Sequence, residues 1–113
     1  NPGDNHIEKM ERFNGVYEMI KKRYPSKTPV ILESKTIELK KYRFLVPDNV
    51  TVAIFLKGVR NHLVSISDQT AYYLITSDGK MLTPTDEISL VQFKHKEECG
   101  ILFLHIEKEN LYG

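Results

Sequence analysis

The sequence predicts an α+β fold in which a mixed sheet is crossed by one helix and preceded by a helical extension. Apolar residues near the N-terminus recur at helical spacing. Four later segments have the length and composition of strands, and a second helical stripe lies between the second and third of them. Helices packed on one sheet around one core account for all three observations.

Composition limits the class of protein. The chain has 113 residues, enough for one domain with one core, and 16 basic against 15 acidic residues argue against a nucleic-acid-binding protein. No apolar run is long enough to span a bilayer, and Asn1–His6 carries no signal-peptide pattern. The single cysteine, Cys99, cannot form an internal disulfide. We therefore expect a cytoplasmic protein.

The first element is predicted to be one helix. Asn5 is the expected N-cap with Glu8 as its partner, Gly15 indicates a bend or break, and Pro25 ends the helix. We expect its apolar stripe to pack on the core, the alternative being contact with a membrane surface. The stripe consists of Ile7, Met10, Phe13, Val16, Tyr17, Ile20 and Tyr24.

Two strands follow. Pro29–Glu33 contains an unbroken apolar run, which predicts burial on both faces of the sheet. In Tyr42–Val46, Phe44 and Val46 point to one face and Leu45 to the other. A strand with large apolar groups on both faces, placed at a sheet edge, can accept an extended peptide.

The remaining elements complete the order. Thr51 is expected to cap a second helix, whose core stripe is Val52, Phe55, Val59 and Leu63. Ala71–Thr76 is a predicted strand, followed by a turn and a very short return strand at Met81 and Leu82. Thr85 is expected to cap a short helix with Ile88, Phe93 and either Leu90 or Val91 facing inward. Ile101–Glu107 is the predicted last strand.

This order of elements is that of the β-grasp, or ubiquitin-like, fold. Two blocks then carry a family resemblance: Lys22-Arg23-Tyr24-Pro25-Ser26-Lys27-Thr28-Pro29-Val30-Ile31, and Phe44-Leu45-Val46-Pro47 with the following Val50-Thr51-Val52. With the ending Leu111-Tyr112-Gly113, they resemble the autophagy-related ubiquitin-like modifiers, in the lipid-conjugated branch that includes the GABA-receptor-associated protein. The chain departs from the family pattern at Val16, Gly58, Gly100 and Ile101, as a divergent member would.

The resemblance implies a single domain over residues 1–113. Residues 1–25 would form the helical extension, residues 26–108 the β-grasp core and residues 109–113 a conjugation tail. Gly113 would be joined to phosphatidylethanolamine by autophagy activating and conjugating enzymes, after a cysteine protease removes any further residues. The chain would then be a substrate rather than an enzyme, anchored on the autophagosome membrane when lipidated. A protein-conjugated modifier and a non-conjugated peptide-binding domain are the alternatives.

The resemblance also implies that receptors and adaptors bind through short aromatic-x-x-aliphatic motifs. Each apolar residue assigned to this site has a core role as its alternative. The expected aromatic pocket is Ile20, Pro29, Ile31, Leu45 and Ile101, with Arg43 at its edge. The expected aliphatic pocket is Phe44, Val46, Pro47, Val50 and Phe55. Lys27, Lys41 and Arg43 would meet acidic residues that flank the motif.

Other candidates for chemistry are weak. Cys99 lies in a turn with no recognisable base, which favours a structural thiol. The four histidines lack metal-ligand spacing, and Asp86 and Glu87 are explained by the start of a helix. We therefore expect neither a metal nor a cofactor.

Overall fold

Within residues 2–64 and 70–109, which the computed structural model describes, four strands form one mixed sheet. The strands are β1 (Lys27–Glu33), β2 (Arg43–Pro47), β3 (Tyr72–Thr76) and β4 (Leu102–Lys108). The helices are α1 (Pro2–Arg12), α2 (Val16–Arg23), α3 (Val52–Val59) and α4 (Ile88–His95), and a 3-10 turn, Arg60–His62, follows α3.

The strands lie in the order β2-β1-β4-β3. The central pair, β1 and β4, is parallel, with Val30 opposite Leu102. Each outer pair is antiparallel. The predicted mixed sheet is therefore confirmed, and β2 lies at one of its edges.

Both faces of the sheet are covered, which explains the unbroken apolar run in β1. Val30 and Leu32 belong to the larger core cluster, together with Val52, Phe55 and other residues of α3 and α4. Ile31, between them in sequence, points to the opposite face and packs with Ile101 and Phe103 against the helical extension. The burial predicted for this strand on both faces is confirmed.

The helical extension differs from the expected single helix. It breaks where Gly15 adopts a φ of 77°, in the left-handed region that favours glycine. The expected N-cap at Asn5 is wrong because α1 already begins at Pro2, a residue suited to the first helical turn. Of the predicted stripe, Phe13, Val16 and Tyr17 pack on the sheet, whereas Ile7 and Tyr24 are exposed.

The second predicted helix is largely confirmed. The Thr51 hydroxyl accepts a hydrogen bond from the Ile54 N–H at 3.4 Å, and the four residues of the predicted core stripe are buried. The Val52 N–H donates to the Asp86 carbonyl at 2.8 Å, which ties the start of α3 to the segment before α4. These bonds hold α3 across the face of the sheet beside β2.

The face predicted for the short helix is partly wrong. The helix begins at Ile88, and Glu87 rather than Thr85 occupies the capping position. Ile88, Val91 and Gln92 are buried, but Phe93 is 72% exposed. At about 100° per residue, Phe93 lies roughly 140° around the helix from Ile88 and cannot share its buried face. The expected return strand is reduced to one bridge between Met81 and Ile75.

Candidate functional site

The edge strand β2 has one side open to an added strand. Its register places Leu45 opposite Pro29, and the Leu32 N–H donates to the Tyr42 carbonyl at 2.8 Å. In an antiparallel pair, the backbone hydrogen bonds alternate in direction from one residue to the next. The backbone groups of Phe44 and Val46 therefore hydrogen-bond β1, while those of Arg43 and Leu45 point outward. Among the described residues, no strand pairs with that outward side.

A cavity of about 430 Å³, named here the first pocket, lies between α2, β1 and β2. All five residues predicted for the aromatic pocket line it: Ile20, Pro29, Ile31, Leu45 and Ile101. Leu45 is 40% exposed, whereas Ile31 and Ile101 are buried and also belong to the core cluster. A core role and a pocket role are therefore compatible for Ile31 and Ile101, because these side chains pack in the core and also form the floor of the cavity.

Two cations lie beside the first pocket. The Arg43 guanidinium carbon is 5.9 Å from the centroid of the Phe13 ring, and Lys41 Nζ is 4.9 Å from that of Phe44. Aromatic faces hold both charges where they can attract an acidic ligand. Lys27 is different, since it lines neither this cavity nor the next one.

A second cavity of about 240 Å³, the second pocket, lies between β2 and α3. All five residues predicted for the aliphatic pocket line it: Phe44, Val46, Pro47, Val50 and Phe55. Val46 and Phe55 are 4% and 6% exposed and form its floor. The edge of the Phe44 ring meets the Phe55 ring, with centroids 5.4 Å apart and planes at 90°.

Sequence reasoning missed part of each wall. Phe13 and Val16 line the first pocket, and Val30, assigned to the core alone, lines it as well. The second pocket also includes Ile54 and His62, to which the sequence analysis gave no role. Val59 of the predicted core stripe and Gly58, one of the departures from the family pattern, line it as well. Ile54, Gly58 and His62 recur every four residues, and this spacing could have marked them as one row along the helix.

The groups with shifted pKa values and the single cysteine lie away from the two pockets. Burial raises the pKa of the Tyr17 hydroxyl above its ordinary value, and a hydrogen bond from Thr76 lowers the pKa of the Asp78 carboxyl. Both groups lie outside the two pockets. Cys99 is a free, half-buried thiol packed against the cluster that contains Phe103.

Gly113, predicted as the point of lipid attachment, lies outside the described residues. In the described part of the chain, no three His, Cys, Asp or Glu residues are grouped closely enough to hold a metal ion. None of the helices in that part has the length and apolar character needed to cross a membrane.

A mixed sheet crossed by α3, with a helical extension on its other face, defines a ubiquitin-like domain of the β-grasp type. Residues 11–113 match the family model described as "Autophagy protein Atg8 ubiquitin like", and the chain belongs to this family. The matched region includes Gly113.

Relatives support this assignment at moderate identity. "Autophagy-related protein 8" of Dictyostelium discoideum is 30% identical over 92% of this chain and 88% of that protein. "Autophagy-related protein 8e" of Arabidopsis thaliana is 31% identical over 97% of this chain and 89% of that protein. The crystal structure of Trypanosoma brucei ATG8 is similar, with a TM-score of 0.78 and 25% identity, covering 92% of this chain and 91% of that one.

Proposed function

We propose that this Atg8-family protein is conjugated through Gly113 to phosphatidylethanolamine on autophagic membranes, where it recruits receptors and cargo. Membership of the family supports conjugation. The observation that carries the recruiting role is the open edge of β2, flanked by the two pockets.

The geometry of the pockets fits an aromatic-x-x-aliphatic motif. The first pocket lies on the sheet face covered by the helical extension, and the second lies on the face covered by α3. In an added strand, residues three positions apart point to opposite faces and lie about 10 Å apart along the strand. One extended peptide therefore reaches both pockets while its backbone bonds Arg43 and Leu45.

Charge supports the same ligand class. Lys41 and Arg43 are exposed beside the first pocket, so acidic residues next to the aromatic anchor would meet positive charge. Lys27, which lines neither pocket, is proposed to contribute only to the longer-range field at the end of β1.

Conjugation requires partner enzymes, because in this proposal the chain is the substrate. ATP and the Gly113 carboxylate form an adenylate with release of pyrophosphate. A cysteine thiol of the activating enzyme then displaces AMP, the thioester passes to a conjugating enzyme, and the lipid amine displaces that thiol. If residues follow Gly113 in the primary product, a cysteine protease must remove them first.

Reconstitution tests the conjugation. Incubation with Atg8-type activating and conjugating enzymes, ATP and liposomes containing phosphatidylethanolamine should give a product whose mass increases by one lipid less water. Gly113→Ala should give none. An adduct to a protein would instead identify the protein-conjugated type of modifier. Absence of any thioester would identify an interaction domain without conjugation.

A further inference from the structure

Gly58 is a glycine that the fold itself does not require. It lies inside α3, where glycine is a poorer helix former than alanine. Its φ is not in the left-handed region. Apart from its own helix and its chain neighbours, no heavy atom lies within 4 Å of the position that a Cβ would take. Neither backbone conformation nor packing explains the residue.

Its position in the second pocket does offer an explanation. Ile54, Gly58 and His62 are four residues apart, so they form a row along the helix and the turn that follows it, and all three line the cavity. Side chains stand at both ends of this row, whereas its centre is bare. The missing side chain widens the pocket at the middle of its helical wall.

The surrounding walls carry rings. The Phe44 ring has its centroid 5.4 Å from that of Phe55 and 5.8 Å from that of His62, with interplanar angles of 90° and 65°. Rings packed edge to face in this way favour a further ring that can adopt the same arrangement. A pocket with a bare centre and aromatic walls suits a planar side chain better than a β-branched aliphatic one.

We propose that Gly58 makes the second pocket selective for an aromatic residue, so that the preferred ligand of this chain is an aromatic-x-x-aromatic segment. This inference rests on the proposed peptide-binding function and changes the preferred second anchor of the peptide from an aliphatic to an aromatic side chain. The open space at Gly58 accepts the outer edge of the ring, while Phe44 and Phe55 contact its faces and sides.

Two peptides that differ only at the second anchor, Phe or Val, test the proposal by calorimetry. The wild-type chain should bind the Phe peptide about tenfold more tightly than the Val peptide, as expected for a pocket that accepts the larger group. Gly58→Leu should weaken the Phe peptide about tenfold and the Val peptide less than about threefold. Ala53→Leu adds bulk to the same helix outside the second pocket and should change neither affinity.

The outcomes separate this inference from the function on which it rests. Equal wild-type affinity for the two peptides, or equal loss of both in Gly58→Leu, would overturn the role of Gly58 and leave the peptide site in place. If neither peptide binds the wild-type chain, the peptide site itself is wrong. If Gly58→Leu loses its helical circular dichroism, Gly58→Ala replaces it as the test variant. Its single added methyl group should reduce the preference for the Phe peptide partway.

Discussion

Leu45→Ala should weaken the binding of an aromatic-x-x-aliphatic peptide while the domain stays folded. Leu45 is 40% exposed, so only that fraction of its surface remains to be buried by a ligand. Complete burial of a leucine side chain contributes about 1.5–3 kcal/mol, which leaves about 0.6–1.2 kcal/mol for the ligand to gain at this site. The dissociation constant should therefore rise about three- to eightfold.

Calorimetry with a soluble peptide measures this change, and Leu90→Ala is its matched control. Leu90 is 55% exposed on α4 and lines neither pocket, so its truncation removes similar exposed apolar surface away from the site. Peptide affinity should be unaffected by Leu90→Ala. Equal affinities of wild type and Leu45→Ala, or equal losses in the two variants, would refute the placement of the first pocket.

Two further predictions concern stability. Gly100→Ala should lower the free energy of unfolding by more than the cost of backbone strain alone, which is about 1–3 kcal/mol. Gly100 has a φ of 93°, and an added Cβ would also lie 2.8 Å from the Tyr17 ring. Gly79→Ala, at a φ of 95° with open space around it, isolates the backbone part of that cost in denaturant titrations, and an equal loss in both variants would remove the steric explanation. Side-chain hydrogen bonds, first with Thr76 and then with His95, lower the pKa of the Asp78 carboxyl from its ordinary value of 3.8. The ionised carboxylate therefore stabilises the fold above pH 3.8, and this contribution is lost as the pH falls through the folded-state pKa. The stability difference between wild type and Asp78→Asn should therefore shrink below pH 3.8 in acid-titration unfolding, and a constant difference would contradict this role of the carboxylate.

Local patterns predicted the elements that are long or strongly marked. The apolar run in β1 correctly indicated burial on both faces, because the two core clusters take alternate side chains of that strand. Thr51 correctly marked the start of α3. The residues that mark these features are close together in sequence, so the sequence pattern alone was sufficient to predict them.

Features set by distant contacts were less predictable. α4 has only eight residues, too few for its apolar pattern to define a face. Its rotation brings Gln92 inward, where Nε2 donates to the Gly100 carbonyl at 2.8 Å, and leaves Phe93 outside. Likewise, Phe13 and Val16 line the first pocket because the helical extension packs on the sheet close to β2. Spacing along the chain does not encode that proximity.

The open edge of β2 carries the proposed recruiting function, and amide hydrogen exchange tests it residue by residue. The N–H groups of Arg43 and Leu45 face outward, whereas those of Phe44 and Val46 face β1. Adding a saturating aromatic-x-x-aliphatic peptide should slow exchange strongly at Arg43 and Leu45 and change it much less at Phe44 and Val46. Unchanged exchange at Arg43 and Leu45 in the bound state would contradict strand addition at this edge.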